Sequence, residues 1–240
     1  MRAITDEEKA AVASAPHRDS IQSIVIHASY LLNFAKILSK ERYEMKSLVE
    51  DITNSEQLGG DGAVLHMGKM LKELPEVAEK LFIEHIKEAV EKTDGMKSAV
   101  ILENTAGQGT EMGWQLTDYG RIFHALKKEK RVRCCIDTAH LMGAGYNLHE
   151  ASGVEKTIKE LEEHVGFSHI ACIHFNDSKK EAGTRVDRHQ DIGHGTIGLE
   201  GLRLFATEVF KRGPTIPLIL ETPEEHIPYS EQINIVRSWF

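Results

Sequence analysis

Val132-Arg133-Cys134-Cys135-Ile136-Asp137-Thr138-Ala139-His140 is an apolar run rich in β-formers that stops at a carboxylate, with an imidazole three residues further on. If residues 132–136 are a buried strand, Asp137 stands at its C-terminal tip and His140 lies on the turn that leaves it. In parallel α/β folds, ligands and catalytic groups collect at that edge. Taken alone, the stretch fits a plainer reading equally well, with Asp137 capping a helix and His140 on the surface. The other strand ends decide between the two.

Working outward, five more apolar runs end in a polar residue that can bind a metal. They are residues 21–27 ending in His27, 63–68 with His66, 98–104 with Glu103, 169–177 with His174, and 217–221 ending in Glu221. Helical spacing fills the intervals. A short helix over 4–15 has Thr5 as its N-cap, and helices follow over 31–38, 43–51, 76–92, 118–129, 154–165 and 199–211, with 225–239 closing the chain. The segment 76–92 carries Val77, Leu81, Ile86 and Val90 on one stripe. Regular alternation of strand and helix predicts a parallel sheet of about six strands, and the chain length suits a TIM-type (β/α) barrel, which in full has eight.

At 240 residues and 41% hydrophobic content, one α/β domain over residues 1–240 is the expected organisation. Cys134, Cys135 and Cys172 lie inside strand-like runs without paired C-x-x-C spacing, which excludes a disulfide framework and a thiolate zinc motif. The first residues lack the apolar core of a signal peptide and no run reaches membrane-spanning length, so the expectation is a cytoplasmic protein without a membrane partner. A formal charge of −8 argues against a nucleic-acid partner. That argument is weakened when carboxylates are committed to divalent metal, which the charge count leaves out.

Each strand-end residue by itself has an ordinary explanation as a turn or solvated residue. All six together do not, because the barrel-mouth reading explains every one at once. Imidazole and carboxylate ligands without thiolate suit zinc, manganese or iron rather than calcium or magnesium. His140, together with Asp187 and His189 from the long polar loop over 178–198, adds three more ligands. Asp187 and His189 are two residues apart, so in an extended segment they point the same way. Nine ligands exceed what one ion can use, so two or three ions are expected, an arrangement suited to phosphoryl chemistry. The chain holds 13 histidines. Of the rest, His17, His85, His124, His149, His164 and His226 read as surface residues, and His169 as the start of a strand far from the mouth. His194, between Gly193 and Gly195, stays undecided.

Five segments then resemble the endonuclease IV type of apurinic/apyrimidinic endonuclease, a xylose-isomerase-like barrel family: Glu103-Asn104-Thr105-Ala106-Gly107-Gln108-Gly109, Cys135-Ile136-Asp137-Thr138-Ala139-His140, His174-Phe175-Asn176-Asp177-Ser178-Lys179, Asp187-Arg188-His189 with Ile192-Gly193, and Ile219-Leu220-Glu221-Thr222. The resemblance implies three zinc ions, with manganese or iron(II) as the alternative at one position. His27, His66 and Glu103 would hold one. Glu103 would bridge to a second held by Asp137, His174 and Glu221, and His140, Asp187 and His189 would hold the third. Glu103, Asp137 and Glu221 would be the catalytic carboxylates. The implied reaction is hydrolysis of the phosphodiester 5′ to an abasic site in double-stranded DNA, leaving a 3′-hydroxyl and a 5′-deoxyribose phosphate. Tyr30 and Leu31 match residues that press into DNA at the lesion, with a helix core as the competing role for Leu31. Lys69, Lys179 and Arg188 would meet phosphates. Three divalent ions would also offset most of the negative charge.

The sequence departs from the family at its beginning, where two further strands are usual before the one ending in His27. The expectation is therefore an N-terminally shortened member, with an open barrel edge that a partner chain could fill. Met67 stands where a proline is expected, and His194 where an acid is common. A metal-dependent sugar isomerase or epimerase on the same barrel is the competing enzyme, and the His140–Asp187–His189 group speaks against it. A non-catalytic DNA- or metal-binding remnant is the competing non-enzyme.

Overall fold

Six short apolar segments form the parallel strands. Three lie in each of the two compact units into which the chain divides, residues 1–103 with 122–133, and residues 104–121 with 134–240. The structure is a computed structural model and describes residues 2–16 and 18–240. His17, expected at the surface, lies outside the described residues.

In the first unit β1 (Val25–His27), β2 (Gly62–His66) and β3 (Ala99–Glu103) run parallel in that order. In register, His27 sits opposite Val64, and His66 opposite Glu103. β2 and β3 are buried almost throughout, as a strand covered on both faces must be, whereas β1 is only half-buried. Helix α1 (Asp6–Ala13) begins at a capping box between Thr5 and Glu8. The larger helices are α2 (Tyr43–Gln57) and α3 (Pro75–Lys92), the latter with Pro75 in its first turn.

The expected helix over 31–38 is absent, and residues 28–42 form an irregular loop. Leu32, Phe34, Ala35 and Leu38 are buried at a spacing that imitates a helical face, but side-chain bonds hold this backbone. Asn33 Oδ1 accepts from the Ala35 N–H at 3.0 Å, and the Phe34 carbonyl meets His85 Nδ1 at 2.9 Å. His85 is therefore a half-buried loop fastener rather than a surface residue.

In the second unit β4 (Val132–Asp137, from Cys134 onward), β5 (Ile170–His174) and a two-residue strand at Leu218–Ile219 run parallel in that order, and Asp137 sits opposite His174. Between the last two, β6 (Asp177–Ser178) and β7 (His189–Gln190) pair antiparallel inside the long polar loop, so Leu218–Ile219 is β8. Because β8 is that short, Glu221 lies two residues beyond its end rather than at its tip. Helix α4 (Leu116–Leu126) precedes β4; α5 (Thr138–Ala144), α6 (Ala151–His164), α7 (Gly198–Phe210) and α8 (Tyr229–Arg237) follow it. This is the strand–helix alternation of the TIM-type (β/α) barrel, with six parallel strands in the described residues. The three cysteines are buried and are not joined in disulfides. No helix among the described residues is long and apolar enough to cross a membrane.

Candidate metal centre

The first unit brings His27, His66 and Glu103 together. Glu103 is fully buried, and its Oε2 stands 3.1 Å from His27 Nε2 and 3.0 Å from His66 Nε2. The two imidazoles meet edge to face, with centroids 5.2 Å apart. His27 Nδ1 lies 2.8 Å from the carbonyl oxygen of Ala28, which can only accept, so Nδ1 carries a proton and Nε2 is the nitrogen left to take a second proton or a metal ion.

The second unit repeats this arrangement twice. His140 is buried, its Nδ1–H donating to the Asn104 carbonyl at 2.8 Å and its Nε2 lying 3.2 Å from Asp187 Oδ2. His189 donates from Nδ1 to the Glu221 carbonyl at 3.1 Å, and its Nε2 faces Asp187 Oδ1 at 3.4 Å and Asp137 Oδ2 at 3.5 Å. That Nε2 is buried and makes no hydrogen bond among the described residues. His174 Nδ1 lies 3.0 Å from Glu221 Oε2. The ligand atoms of Asp137, His140 and His189 all fall within 4.8 Å of one another.

An imidazole nitrogen facing a carboxylate oxygen at this distance needs a proton or a metal ion between them. Three imidazoles fixed in this way by carbonyl oxygens have the orientation that metal-binding histidines adopt through their outer hydrogen bonds. The donor set is imidazole plus carboxylate, which fits zinc, manganese or iron. Cys135 and Cys172, register partners on β4 and β5, also bring their thiols within reach of His174, a proximity that their sequence spacing does not reveal.

Asp137 combines both readings of its stretch. Its Oδ1 accepts the His140 N–H at 2.7 Å, which makes it the N-cap of α5, and the same turn buries His140 beside it. Its Oδ2 accepts from Asn176 Nδ2 at 2.7 Å, and Asn176 Oδ1 accepts the Glu221 N–H at 2.8 Å. Gln108 Oε1 receives the Asp187 N–H at 3.3 Å. Asn104, Gln108 and Asn176 are not among the residues singled out from sequence, although each lies within the segments that carry the family resemblance.

Behind the polar loop, Asp177 is fully buried and accepts from the backbone N–H groups of Ser178, Gly193, Gly195, Ile197 and Gly198. Burial pushes its carboxyl above the ordinary value against the pull of these donors. A Cβ on Gly195 would stand 2.5 Å from Asp177 Oδ1, so this turn has no space for a side chain.

The remaining predicted contacts are at the surface. Tyr30 and Leu31 are 77% and 70% exposed, which answers the competing core role for Leu31. Lys69 and Arg188 are exposed. Lys179 is paired with Glu225, whose carboxyl it holds below the usual range. His194, undecided from sequence, is exposed and stacks on His226, with centroids 4.7 Å apart.

The chain resembles known proteins over nearly its whole length. A family model described as xylose isomerase-like TIM barrel matches residues 2–239. A protein of Acanthamoeba polyphaga mimivirus that carries the name endonuclease 4 is 35% identical over 234 residues, covering 90% of this chain and 74% of its own. One of the same name from Chloroflexus aurantiacus is 31% identical over 233 residues, covering 97% and 81%. The crystal structure of endonuclease IV from Thermus thermophilus superposes with a TM-score of 0.81 at 27% identity, over 99% of this chain and 83% of that one. The chain belongs to the endonuclease IV family of xylose isomerase-like TIM barrels and is an enzyme, a metal-dependent nuclease.

Proposed function

We propose that the protein hydrolyses the phosphodiester 5′ to an abasic site in double-stranded DNA, leaving a 3′-hydroxyl and a 5′-deoxyribose phosphate, with three zinc ions held by nine side chains. His27, His66 and Glu103 take one ion, Asp137, His174 and Glu221 another, and His140, Asp187 and His189 the third. The observation that carries this reading is the set of imidazoles locked through Nδ1 with Nε2 turned to a carboxylate, seen at His27, His140 and His189.

The protein side chains hold and orient. Carbonyl oxygens fix the three ring tautomers before any ligand arrives, so little reorganisation is needed in the reaction. Glu103 and Asp137 are buried carboxylates, so water does not compete for their oxygens. Bound zinc would make water nucleophilic at neutral pH and neutralise charge on the phosphoryl and departing 3′ oxygens. Tyr30 and Leu31, exposed and apolar, press into the duplex where the missing base leaves stacking weakest. Lys69, Lys179 and Arg188 meet backbone phosphates, with Lys179 exchanging its Glu225 partner for the ligand.

The decisive assay is incubation with a duplex carrying one tetrahydrofuran abasic analogue. Nicking on the 5′ side of the lesion, abolished by EDTA and restored by zinc, is the expected result. Binding without nicking would leave a non-catalytic DNA-binding protein instead. A sugar isomerase would give neither, and the His140–Asp187–His189 group favours the nuclease over it.

A further inference from the structure

Two loops of the first unit are locked to each other by a single side chain. Asn33 donates from Nδ2 to the Lys69 carbonyl at 2.8 Å, and its Oδ1 accepts the Lys69 N–H at 3.1 Å. An amide side chain thus pairs with a backbone peptide as a strand neighbour would. Gly68, at φ +82°, provides the space: a Cβ there would stand 2.6 Å from Asn33 Oδ1. The first loop is the one that exposes Tyr30 and Leu31, and the second leaves β2 just after His66.

Three residues past Gly68, the second loop makes a tight turn closed by the Glu73 N–H donating to the Met70 carbonyl at 2.9 Å. Leu71 occupies its first central position at φ +56°, where glycine, asparagine or aspartate is comfortable and leucine is strained. The backbone therefore gives no reason for leucine. Its side chain is 55% exposed, so it is not a core residue. The exposed cations Lys69 and Lys72 flank it. Strain of this kind is characteristic of residues held for contact with a ligand.

We infer that Leu71 is a further lesion-contacting residue, and that Asn33 is the positioning residue which joins the Leu71 turn to the Tyr30–Leu31 loop as one apolar surface edged with lysines, fitted to an abasic duplex. The inference rests on the proposed nuclease function. Its occupant is the lesion itself, because a duplex lacking one base offers apolar stacking faces beside phosphates.

Leu71→Asn separates a structural role from this one, since asparagine relieves the backbone strain while removing the apolar side chain. The expected result is an unchanged or raised melting temperature, an unchanged zinc content, and about a tenfold loss in preference for the tetrahydrofuran duplex over the intact duplex. The loss should appear as a rise in KM larger than the fall in kcat. Asn33→Ala and Gly68→Ala, which break the lock from opposite sides, should reproduce the loss. Wild-type preference in Leu71→Asn would overturn the inference while leaving the nuclease intact. Loss of zinc in Asn33→Ala would also overturn it, by making Asn33 a support of the His66 ligand. A wild-type protein with no preference for the abasic duplex would remove both readings together.

Discussion

The side-chain amide of Asn104 and the backbone of Asp137 hydrogen-bond reciprocally: Asn104 Oδ1 accepts the Asp137 N–H at 2.8 Å and Asn104 Nδ2 donates to the Asp137 carbonyl at 3.3 Å. The Asn104 carbonyl in turn receives the ring proton of His140. One residue, placed directly after Glu103, thus fixes a carboxylate and an imidazole from the next strand and helix. Asn104→Ala should leave the buried Asp137 N–H unpaired, at a cost of about 1–3 kcal/mol. Loss of such outer support lowers metal affinity or activity by roughly 10–100-fold. Urea melts and nicking rates check the two effects, and an intact rate would separate Asn104 from the site.

Asp137→Asn probes the carboxylate itself. An amide can still cap α5 toward the His140 N–H, so the fold should survive. Its second polar atom cannot both face Asn176 Nδ2 as an acceptor and carry the negative charge that a cation beside His189 needs. Nicking of the tetrahydrofuran duplex should fall by a factor of at least about 100, with less zinc per chain by elemental analysis. A rate equal to wild type would show that Asp137 is only a cap.

The strand tips are legible in the sequence because a buried parallel strand reads as a continuous apolar run, and the first polar residue after it marks the mouth. His27, His66, Glu103, Asp137 and His174 all stand at such tips. Glu221 reads from sequence as a sixth tip, but its strand is shorter than its apolar run, since only Leu218 and Ile219 find a pairing neighbour. The loop over 28–42 departs from its expected helix for a different reason. Burial of Leu32, Ala35 and Leu38 gives helical spacing whether or not the backbone is helical, and the bonds from Asn33 and His85 that decide the matter join residues 36 and 51 positions apart. For the same reason Asn104 and Asn176 stand in the sequence as motif letters whose partners only the fold reveals.

Asp51 makes stability pH-dependent in an unusual direction. It is fully buried on α2, neither carboxylate oxygen has a hydrogen-bond partner among the described residues, and burial pushes its pKa from 3.8 to about 6. Below the unfolded value both states are protonated. Between that value and about 6 the unfolded chain ionises first, so stability falls as pH rises and stays low above it. Two pK units correspond to about 3 kcal/mol as an upper bound. Asp51→Asn should abolish this component, so the difference in melting temperature between variant and wild type should grow from pH 4 to pH 7. A constant difference would mean that Asp51 does not titrate in this window.

Metal removal should reach beyond activity into the fold. Where Nε2 of His27, His140 and His189 faces carboxylate oxygen, an ion can take the place of a proton between them, and an ion that binds only the native state adds to its stability. At a thousandfold excess over Kd a single ion contributes about 4 kcal/mol, which at this chain length raises the melting temperature by roughly 10 °C. Protein stripped with EDTA should melt lower by at least that much and recover with added zinc. The recovery should weaken in acid, where protons compete with metal for the imidazole nitrogens. Stripped and zinc-loaded protein with the same melting temperature at pH 8 would show that these histidines and carboxylates are held together by shared protons rather than by metal.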